Sequence, residues 1–160
     1  MRKRIVTLVS AKGARLDDHG WLSLSEIATV EVTSEEDGFP IESVFASDVS
    51  SGWRASEAGP QVIRIVFDVP AAVGRIRLRF DESRTERTQQ FTLNWYPATG
   101  GCREIARQQW NFSPAGSTNE IEDYDVSLDG VSVLELVIQP DIGRNDAYAT
   151  LSQWRVGGLR

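Results

Sequence analysis

The side chains that most often carry enzymatic chemistry are scarce in this chain. The sequence holds one histidine, His19, and one cysteine, Cys102. Nucleophilic catalysis needs a base beside a serine or cysteine, and a zinc site needs more ligands than one histidine and one cysteine. Acidic clusters occur at 35–37 and 120–123, but no pair stands out as the two carboxyls of a glycosidase. We therefore expect a protein that is not an enzyme.

The charge distribution bears on possible macromolecular partners. The formal net charge is −6, and residues 1–15 hold five basic and no acidic side chains, which leaves twelve basic and 23 acidic residues in the rest. An acidic body disfavours nucleic acid and anionic membranes. Arg75, Arg77 and Arg79 form a row without interleaved aromatic residues, so we expect a solvated outer face paired with acids on a neighbouring strand. Neither nucleic acid nor a membrane is an expected partner.

Alternating apolar residues predict strands along most of the chain. The inward-facing sets are Ala28, Val30 and Val32; Ile63, Ile65 and Phe67; Ile76, Leu78 and Phe80; Phe91, Leu93 and Trp95; and Leu134, Leu136 and Ile138. Turn-forming residues separate these runs, for example at 72–74 and 129–130. Short helical turns are expected near 22–27, capped by Ser23 or Ser25, and near 40–45. The pattern predicts an all-β protein, an antiparallel β-sandwich.

The N-terminal segment differs from this body. Three basic residues precede an apolar run at 5–9 that is too short for a signal peptide or a membrane span. We expect residues 1–24 to form a basic tail or an added edge strand, and residues 25–160 to form one domain. A cytoplasmic location is the corresponding expectation.

Several motifs, in their order, resemble the discoidin, or coagulation-factor type C, domains of the galactose-binding-like superfamily. They are residues 50–55 with the Trp53-Arg54 pair, the turn 59–61, the run 62–68 and the closing strand 149–157. The resemblance covers about residues 27–158 and implies a jelly roll whose loops at one end hold a ligand. Segments 86–91 and 107–114 also resemble a narrower bacterial group, which implies no activity.

The resemblance also raises the question of calcium. Many discoidin-like carbohydrate modules hold this ion in the loop before the Trp-Arg pair, where the present chain retains Asp48 and Ser51. Ala46 replaces the first acid of that loop, and Gln153 replaces a glutamate of the closing strand. Calcium prefers six to eight oxygens with several carboxylates. We expect no cofactor. Asp48 and Ser51 remain candidate calcium ligands, and the alternative is that they cap the loop.

The family's ligand site maps onto loops 35–40, 82–90 and 140–146. Arginine forks and an aromatic plane suit saccharide recognition, and these loops offer such groups. The predicted ligand-binding residues are Phe39, Arg84, Arg87, Gln89, Arg144 and Asn145. Arg87 has an alternative role, in which it pairs with Glu82 or Glu86 and braces the loop.

Each tryptophan is assigned either to the core or to a ligand contact: Trp53 matches a core residue of the resembled family, and Trp95 and Trp154 lie on inward faces of predicted strands. Trp53, Trp95 and Trp154 are expected in the core, whereas Trp110 either stacks on a ligand or fills a seam.

The resulting functional expectation is a non-catalytic module that recognises a carbohydrate or similar polyhydroxylated ligand through apical loops. The alternative is a protein-interaction or assembly module of the same fold, with an exposed apolar patch and no sugar site. Oligomeric state is not predicted.

Overall fold

The structure is a computed structural model that describes residues 3–5, 20–46 and 52–159. Within these ranges it is almost entirely β. The strands are β1 (Lys3–Ile5), β2 (Ala28–Val32), β3 (Trp53–Arg54), β4 (Gln61–Asp81), β5 (Arg87–Pro97), β6 (Arg103–Phe112), β7 (Asn119–Gln139), β8 (Thr150–Leu151) and β9 (Gln153–Gly157). One helical turn, α1 (Leu24–Ile27), precedes β2, and a 3₁₀ helix (Ile41–Phe45) follows it.

All strand pairs are antiparallel. The main sheet has the order β1-β2-β4-β7-β5-β6, β9 pairs with β4, and β3 pairs with β8 in a small second sheet. The first half of β4 pairs with β2 and with the second half of β7, whereas its second half pairs with β9 and with the first half of β7. The expected antiparallel β-sandwich is therefore confirmed.

The long strands β4 and β7 pass through both layers. Register shifts between Val66 and Arg75 interrupt the β4–β7 ladder, and such bulges bend strands where they cross from one layer to the other. Turns predicted at 72–74 and 129–130 were wrong in one respect: both segments stay inside continuous strands. A strand can bend sharply and stay hydrogen-bonded to its partner. The alternation of apolar residues is therefore interrupted at these positions although no loop is present.

This bend determines where the connections gather. Gln61 pairs with Ile138, Asp81 pairs with Asn119, and the bend lies between, where Ala71 pairs with Val131. Both ends of β4 and both ends of β7 therefore lie at the same end of the sandwich. Loops 55–60, 82–86, 113–118 and 140–149 leave from that end, which we call the apical end.

The core lies between the two layers. Its members include the inward-facing sets that the alternation predicted, together with Trp53, Trp95 and Trp154. Phe80 of one layer stacks on Phe91 of the other, with ring centroids 5.3 Å apart. The expectation that these tryptophans belong to the core is confirmed.

The N-terminal residues contribute more than the sequence suggested. β1 pairs with β2 as an edge strand. Trp21 and Leu22 are buried, and the Leu22 N–H donates to the carbonyl of Val156 at 2.7 Å. An added edge strand was one of the two alternatives for residues 1–24, and the boundary at residue 25 stays a prediction. Ser23 stands at the N-cap of α1 but makes no side-chain capping bond, so the capping prediction was wrong. In the described ranges, no helix has the length and apolar character needed to cross a membrane.

Candidate functional site

A polar cleft of about 670 Å³ opens at the apical end. Four chain segments build it: Arg54 of β3, the loop that begins at Glu82, the end of β6, and the connection from β7 to β8. The lining residues are Arg54, Glu82, Thr85, Glu86, Arg87, Thr88, Asn111, Phe112, Ser113, Asp141, Arg144, Asp146, Ala147 and Tyr148. We call this feature the apical cleft.

Backbone hydrogen bonds hold the walls of the cleft together. The Glu82 N–H donates to the Thr118 carbonyl at 2.8 Å, and the Ile142 N–H donates to the Thr88 carbonyl at 2.9 Å. The Gly59 N–H donates to the Ala147 carbonyl at 2.9 Å. Two of these bonds join different connections, and the bond to Thr88 joins the β7–β8 connection to the start of β5. The walls of the cleft are therefore held by backbone hydrogen bonds.

Tyr148 supplies the aromatic surface of the cleft and is 48% exposed. Ala149 and Leu151 point into the core, and the alternation of an extended chain turns Tyr148 outward. The same side chain lines a neighbouring recess of about 300 Å³ that reaches Glu36 and Ser56. An aromatic face thus stands at the junction of two concavities.

Arg54 lies at the centre of the apical end. It lines the apical cleft, the recess beside Tyr148, and a third recess of about 200 Å³. Its guanidinium carbon stands 5.6 Å from the centre of the Phe39 ring, and its Nε lies 3.7 Å from a carboxylate oxygen of Glu36. Arg54 is therefore a half-buried donor that faces all three concavities.

Arg87 lies at the floor of the cleft and has no exposed side-chain surface. Its Nε donates to Glu82 Oε1 at 3.0 Å, and its terminal nitrogens donate to the Pro140 carbonyl at 2.8 Å and to Thr150 Oγ1 at 3.1 Å. The guanidinium also stands 4.8 Å from the centre of the Phe112 ring. Burial lowers the pKa of this guanidinium, and the bond to Glu82 opposes that change. The bracing role that the sequence offered as an alternative is what this geometry shows.

The buried chain of polar groups continues away from Arg87. Gln89 has no exposed surface; its Oε1 accepts from Arg87 at 3.1 Å and its Nε2 donates to Glu120 Oε1 at 3.2 Å. Glu120 is also fully buried, and its Oε2 has no hydrogen-bond partner. Burial, followed by the neighbouring Glu122, raises the pKa of Glu120 to about 8. Glu120 is consequently protonated at neutral pH, which suits a buried carboxyl with an unpaired oxygen.

The six predicted ligand residues occupy different positions. Arg144 lines the apical cleft, while Phe39 and Arg84 line the third recess beside it. Asn145 is exposed on the same connection but lies outside the lining of the described concavities. Arg87 belongs to the cleft lining with a buried side chain, and Gln89 lies beneath it. A ligand-contacting role for these six residues stays a prediction, and for the two buried ones the geometry favours support of the loops.

Sequence reasoning missed several residues of the cleft. Asn111, Ser113, Asp146 and Tyr148 all line it. Asn111 and Ser113 flank the inward Phe112, and Tyr148 precedes the inward Ala149. The alternation at the end of β6 and before β8 could therefore have identified them.

The proposed calcium loop lies mainly outside the described residues, which include neither Asp48 nor Ser51. At its start, Arg155 donates to the Ala46 carbonyl at 2.6 Å. A guanidinium at this position repels a cation, and Ala46 and Gln153 offer no carboxylate. A calcium-binding role for Asp48 and Ser51 stays a prediction, since six to eight oxygens with several carboxylates would be needed. Throughout the described ranges, no group of three or more His, Cys, Asp or Glu residues could hold a metal ion.

The motif residues that carried the family resemblance have structural roles. Trp53 is buried, and its indole N–H donates to the Ser34 carbonyl at 3.0 Å. Ser34 Oγ and Thr33 Oγ1 donate to Gln61 Oε1 at 2.6 and 2.7 Å. These bonds attach β3 and the start of β4 to the end of β2, so the motif fixes the scaffold beside the cleft.

Two remaining expectations concern groups away from the cleft. Arg75 makes a two-bond ion pair with Asp123 on β7, at 3.0 and 2.7 Å, so the predicted cross-strand pairing holds for this member of the arginine row. Arg79 instead pairs with Asp81 on its own strand at 3.0 Å, and the buried Nε of Arg77 has no hydrogen-bond partner. Trp110 is half-buried against the core and donates to Ser117 Oγ at 3.1 Å. Because it does not line the apical cleft, its position matches the seam-filling alternative.

Comparison with known proteins identifies the fold. No protein-family model matches the chain, and no curated protein matches it. Among solved structures, CpGH89CBM32-4 of Clostridium perfringens, in complex with GlcNAc-α-1,4-galactose, has a TM-score of 0.64 at 15% identity, over 90% of this chain and 99% of that one. The family 32 carbohydrate-binding module of C. perfringens NanJ, in complex with galactose, has a TM-score of 0.58 at 18% identity, over 81% and 92%.

A third similar structure has a protein partner. Reduced XRCC1 bound to the catalytic domain of DNA polymerase β has a TM-score of 0.56 at 12% identity, over 81% of this chain and 93% of that chain. At such identities the likeness shows the fold alone. The chain therefore shares the β-sandwich fold of these structures, which agrees with the antiparallel β-sandwich that the sequence predicted.

Proposed function

We propose that this protein is a non-catalytic module that binds a saccharide or a similar polyhydroxylated ligand in the apical cleft. The observation that carries the proposal is the exposed ring of Tyr148 beside Arg144, Asp146 and Asn111 in one concavity. Saccharides present an apolar ring face and a rim of hydroxyls. An aromatic plane matches the first, and paired donors and acceptors match the second.

Each cleft residue has a role in this proposal. Tyr148 stacks on the sugar ring, and the guanidinium of Arg144 donates to neighbouring hydroxyls. Asp146 accepts hydroxyl protons, and Asn111 both donates and accepts. Arg87 and Gln89 act through the loops that they brace and do not touch the ligand.

The similar solved structures support the proposal. Two of them were determined with a saccharide bound, GlcNAc-α-1,4-galactose in one and galactose in the other. The fold does not by itself assign a function. The cleft is therefore the stronger argument, because this chain's own side chains form it.

The alternative of a protein-binding module has weaker support. Within the described ranges, the large exposed apolar side chains are Val69, Ile121, Ile142, Tyr148 and Leu159. Only Ile142 and Tyr148 share a loop, and the others lie on the bend of β4, on β7 and near the C-terminus. A protein-binding surface calls for a contiguous apolar patch, and scattered single residues do not form one.

A glycan array probed with the purified protein tests the proposal. We expect specific glycans to bind with modest affinity, because shallow sites bury little surface. Tyr148→Ala should weaken that binding at least about tenfold, as loss of a central aromatic contact does. Ile142→Ala is the matched control, since Ile142 is 50% exposed on the same loop but does not line the cleft.

Three outcomes separate the possibilities. Loss of binding in Tyr148→Ala with retention in Ile142→Ala supports the apical site. Equal binding by both variants and the unaltered protein places the saccharide elsewhere. A folded protein that binds no glycan on the array counts against the proposal and directs the search to protein partners.

A further inference from the structure

We propose that the apical cleft selects its saccharide by charge, so that amino sugars bind more tightly than neutral sugars and uronic acids bind most weakly. This inference rests on the proposed function, because it concerns the ligand of the same cleft. It adds a chemical class of ligand, and it follows from the balance of charged groups along the lining.

The arginines of the cleft are mostly neutralised by partners. Arg87 is paired with Glu82 at 3.0 Å in a buried ion pair, and Arg54 lies 3.7 Å from Glu36 and over the ring of Phe39. Arg144 remains, exposed on the β7–β8 connection. Among the described residues, no carboxylate lies within ion-pairing distance of Arg144.

The acids of the cleft are less compensated. Glu86, Asp141 and Asp146 line it and, within the described ranges, make no ion pair. Asp141 acts on the buried Arg87 only through a longer-range electrostatic attraction, and Arg87 is already paired with Glu82. Asp141 Oδ1 accepts a hydrogen bond from the Gly143 N–H at 3.0 Å. This bond orients the carboxylate but does not neutralise its negative charge. Three carboxylates therefore face one guanidinium, and the free charge of the cleft is negative.

This balance acts on a ligand in two ways. A ligand ammonium is attracted to the carboxylates and to the face of Tyr148, which is 48% exposed. A ligand carboxylate meets like charges and has only Arg144 to pair with. Concave walls strengthen both effects because they exclude water. Each contact at such a site is modest, so the selection is a graded preference.

Sugars that share a ring configuration and differ in charge provide the probes. Galactosamine, N-acetylgalactosamine, galactose and galacturonic acid form one series, and glucosamine, N-acetylglucosamine, glucose and glucuronic acid form the second. The N-acetyl sugars keep the substituent position of the amine without its charge. Affinities are measured by titration with observation of protein NMR shifts, which detects weak binding.

At low ionic strength, we expect the amino sugar of the better-bound series to bind about fivefold more tightly than its N-acetyl and neutral relatives. The uronic acid should bind more weakly than both. The preference should shrink at high salt, because ions screen exposed charges within about 10 Å at 0.1 M. Asp146→Asn should also reduce the preference for the amino sugar over its N-acetyl and neutral relatives, because it removes one carboxylate from the cleft.

Asp129→Asn is the control, because Asp129 is exposed on β7 beside the bend, at the end opposite the cleft. It removes the same charge from the molecule and should leave the preference unchanged. Uronic acids that bind as well as neutral sugars overturn the inference, and so does a preference that Asp146→Asn leaves intact. If no sugar of either series and no glycan on the array binds, the proposed function itself fails. That result is distinct from binding without charge selection.

Discussion

Arg87 illustrates how a single residue can belong to a binding loop without being available to a ligand. It exposes no side-chain surface and donates to four groups on β5, on the loop after β4 and on both ends of the β7–β8 connection. We expect Arg87→Ala to destabilise the protein by about 3–5 kcal/mol, because Glu82 would be left buried without its partner. Urea denaturation measures this loss.

Arg84→Ala provides the comparison for Arg87. Arg84 is exposed on the same loop, and its loss should change the free energy of unfolding by no more than about 0.5 kcal/mol. If both variants unfold at the same urea concentration, Arg87 does not brace the loops. Because Arg87→Ala alters folding, lost binding in that variant would not identify a ligand contact.

Glu120 makes stability depend on pH in a predictable direction. Burial raises its pKa from 4.5 to about 8, so the folded protein holds a proton that the unfolded chain releases above pH 4.5. The stability from this group is fully present below that pH and is lost as pH rises through 8, by up to about 1.4 kcal/mol per pH unit. Glu120→Gln should remove this part of the slope in urea denaturations between pH 5.5 and 9.

The matched control for Glu120 is Glu104→Gln. Glu104 is exposed and paired with Arg107 at 2.9 Å, and its substitution should leave the slope as it is. An unchanged slope in Glu120→Gln would show that the buried carboxyl is ionised in the folded protein at neutral pH.

For individual residues, the position of a side chain could be predicted best from the sequence where that side chain faces the core. Trp95 and Trp154 were placed correctly because alternation determines which side of a strand is buried, and Trp53 was placed correctly because it matches a core residue of the family that the chain resembles. Gln89 shows the converse: a polar residue near a loop suggests exposure, yet its buried partners Arg87 and Glu120 lie 2 and 31 positions away. Long-range polar pairing leaves no periodic signal in one sequence.

Among the secondary-structure elements, the β3–β8 pair depends on a close approach at Gly52. This glycine has φ of +75°, and a Cβ there would stand 2.8 Å from the Leu151 carbonyl oxygen of β8. Gly52→Ala should therefore cost the left-handed strain of about 1–2 kcal/mol and a further 1–3 kcal/mol or so for the contact. The change in the free energy of unfolding measures the sum.

Gly38→Ala separates the two terms. Gly38 has φ of +87° with nothing within 4 Å of its Cβ position, so only the strain applies. Equal costs at the two sites would contradict the close approach of β3 and β8.

Most of the β-strands could be predicted from the sequence. The two segments that were predicted wrongly, 72–74 and 129–130, were missed for the same reason. Alternation located β2, β5 and both apolar halves of β4. The residues at 72–74 and 129–130 look like loop turns, but in the structure they are bends of strands that stay paired. A bulged corner and a turn use the same residue types, and only pairing with a partner strand tells them apart.

At the scale of the whole molecule, we expect folding that does not depend on calcium. The guanidinium of Arg155 on the Ala46 carbonyl, and the neutral residues Ala46 and Gln153, disfavour the ion. We expect the same Tm in excess calcium and in chelator. A bound ion at about a hundredfold above its Kd would add about 2.7 kcal/mol and raise Tm by roughly 5–10 °C. A shift of that size would contradict the prediction.

The position of the apical cleft could be predicted from the sequence, but not all of the residues that line it. The family resemblance pointed to loops near 82 and 140, and both contribute. The end of β6 was not anticipated, because its approach follows from the bend that brings both ends of β4 and β7 to one side. A sequence shows this convergence only when the course of both long strands is known.

Binding of a saccharide in the apical cleft underlies both the proposed function and the proposed charge preference. NMR titration of the isotopically labelled protein with galactose and galactosamine tests it most directly, because amide shifts report both binding and position. We expect saturable shifts confined to Arg54 and to residues 82–88, 111–113 and 141–148, which Tyr148→Ala abolishes while the fold remains intact. Shifts centred on another surface, or none with any saccharide that the glycan array offers, would contradict it.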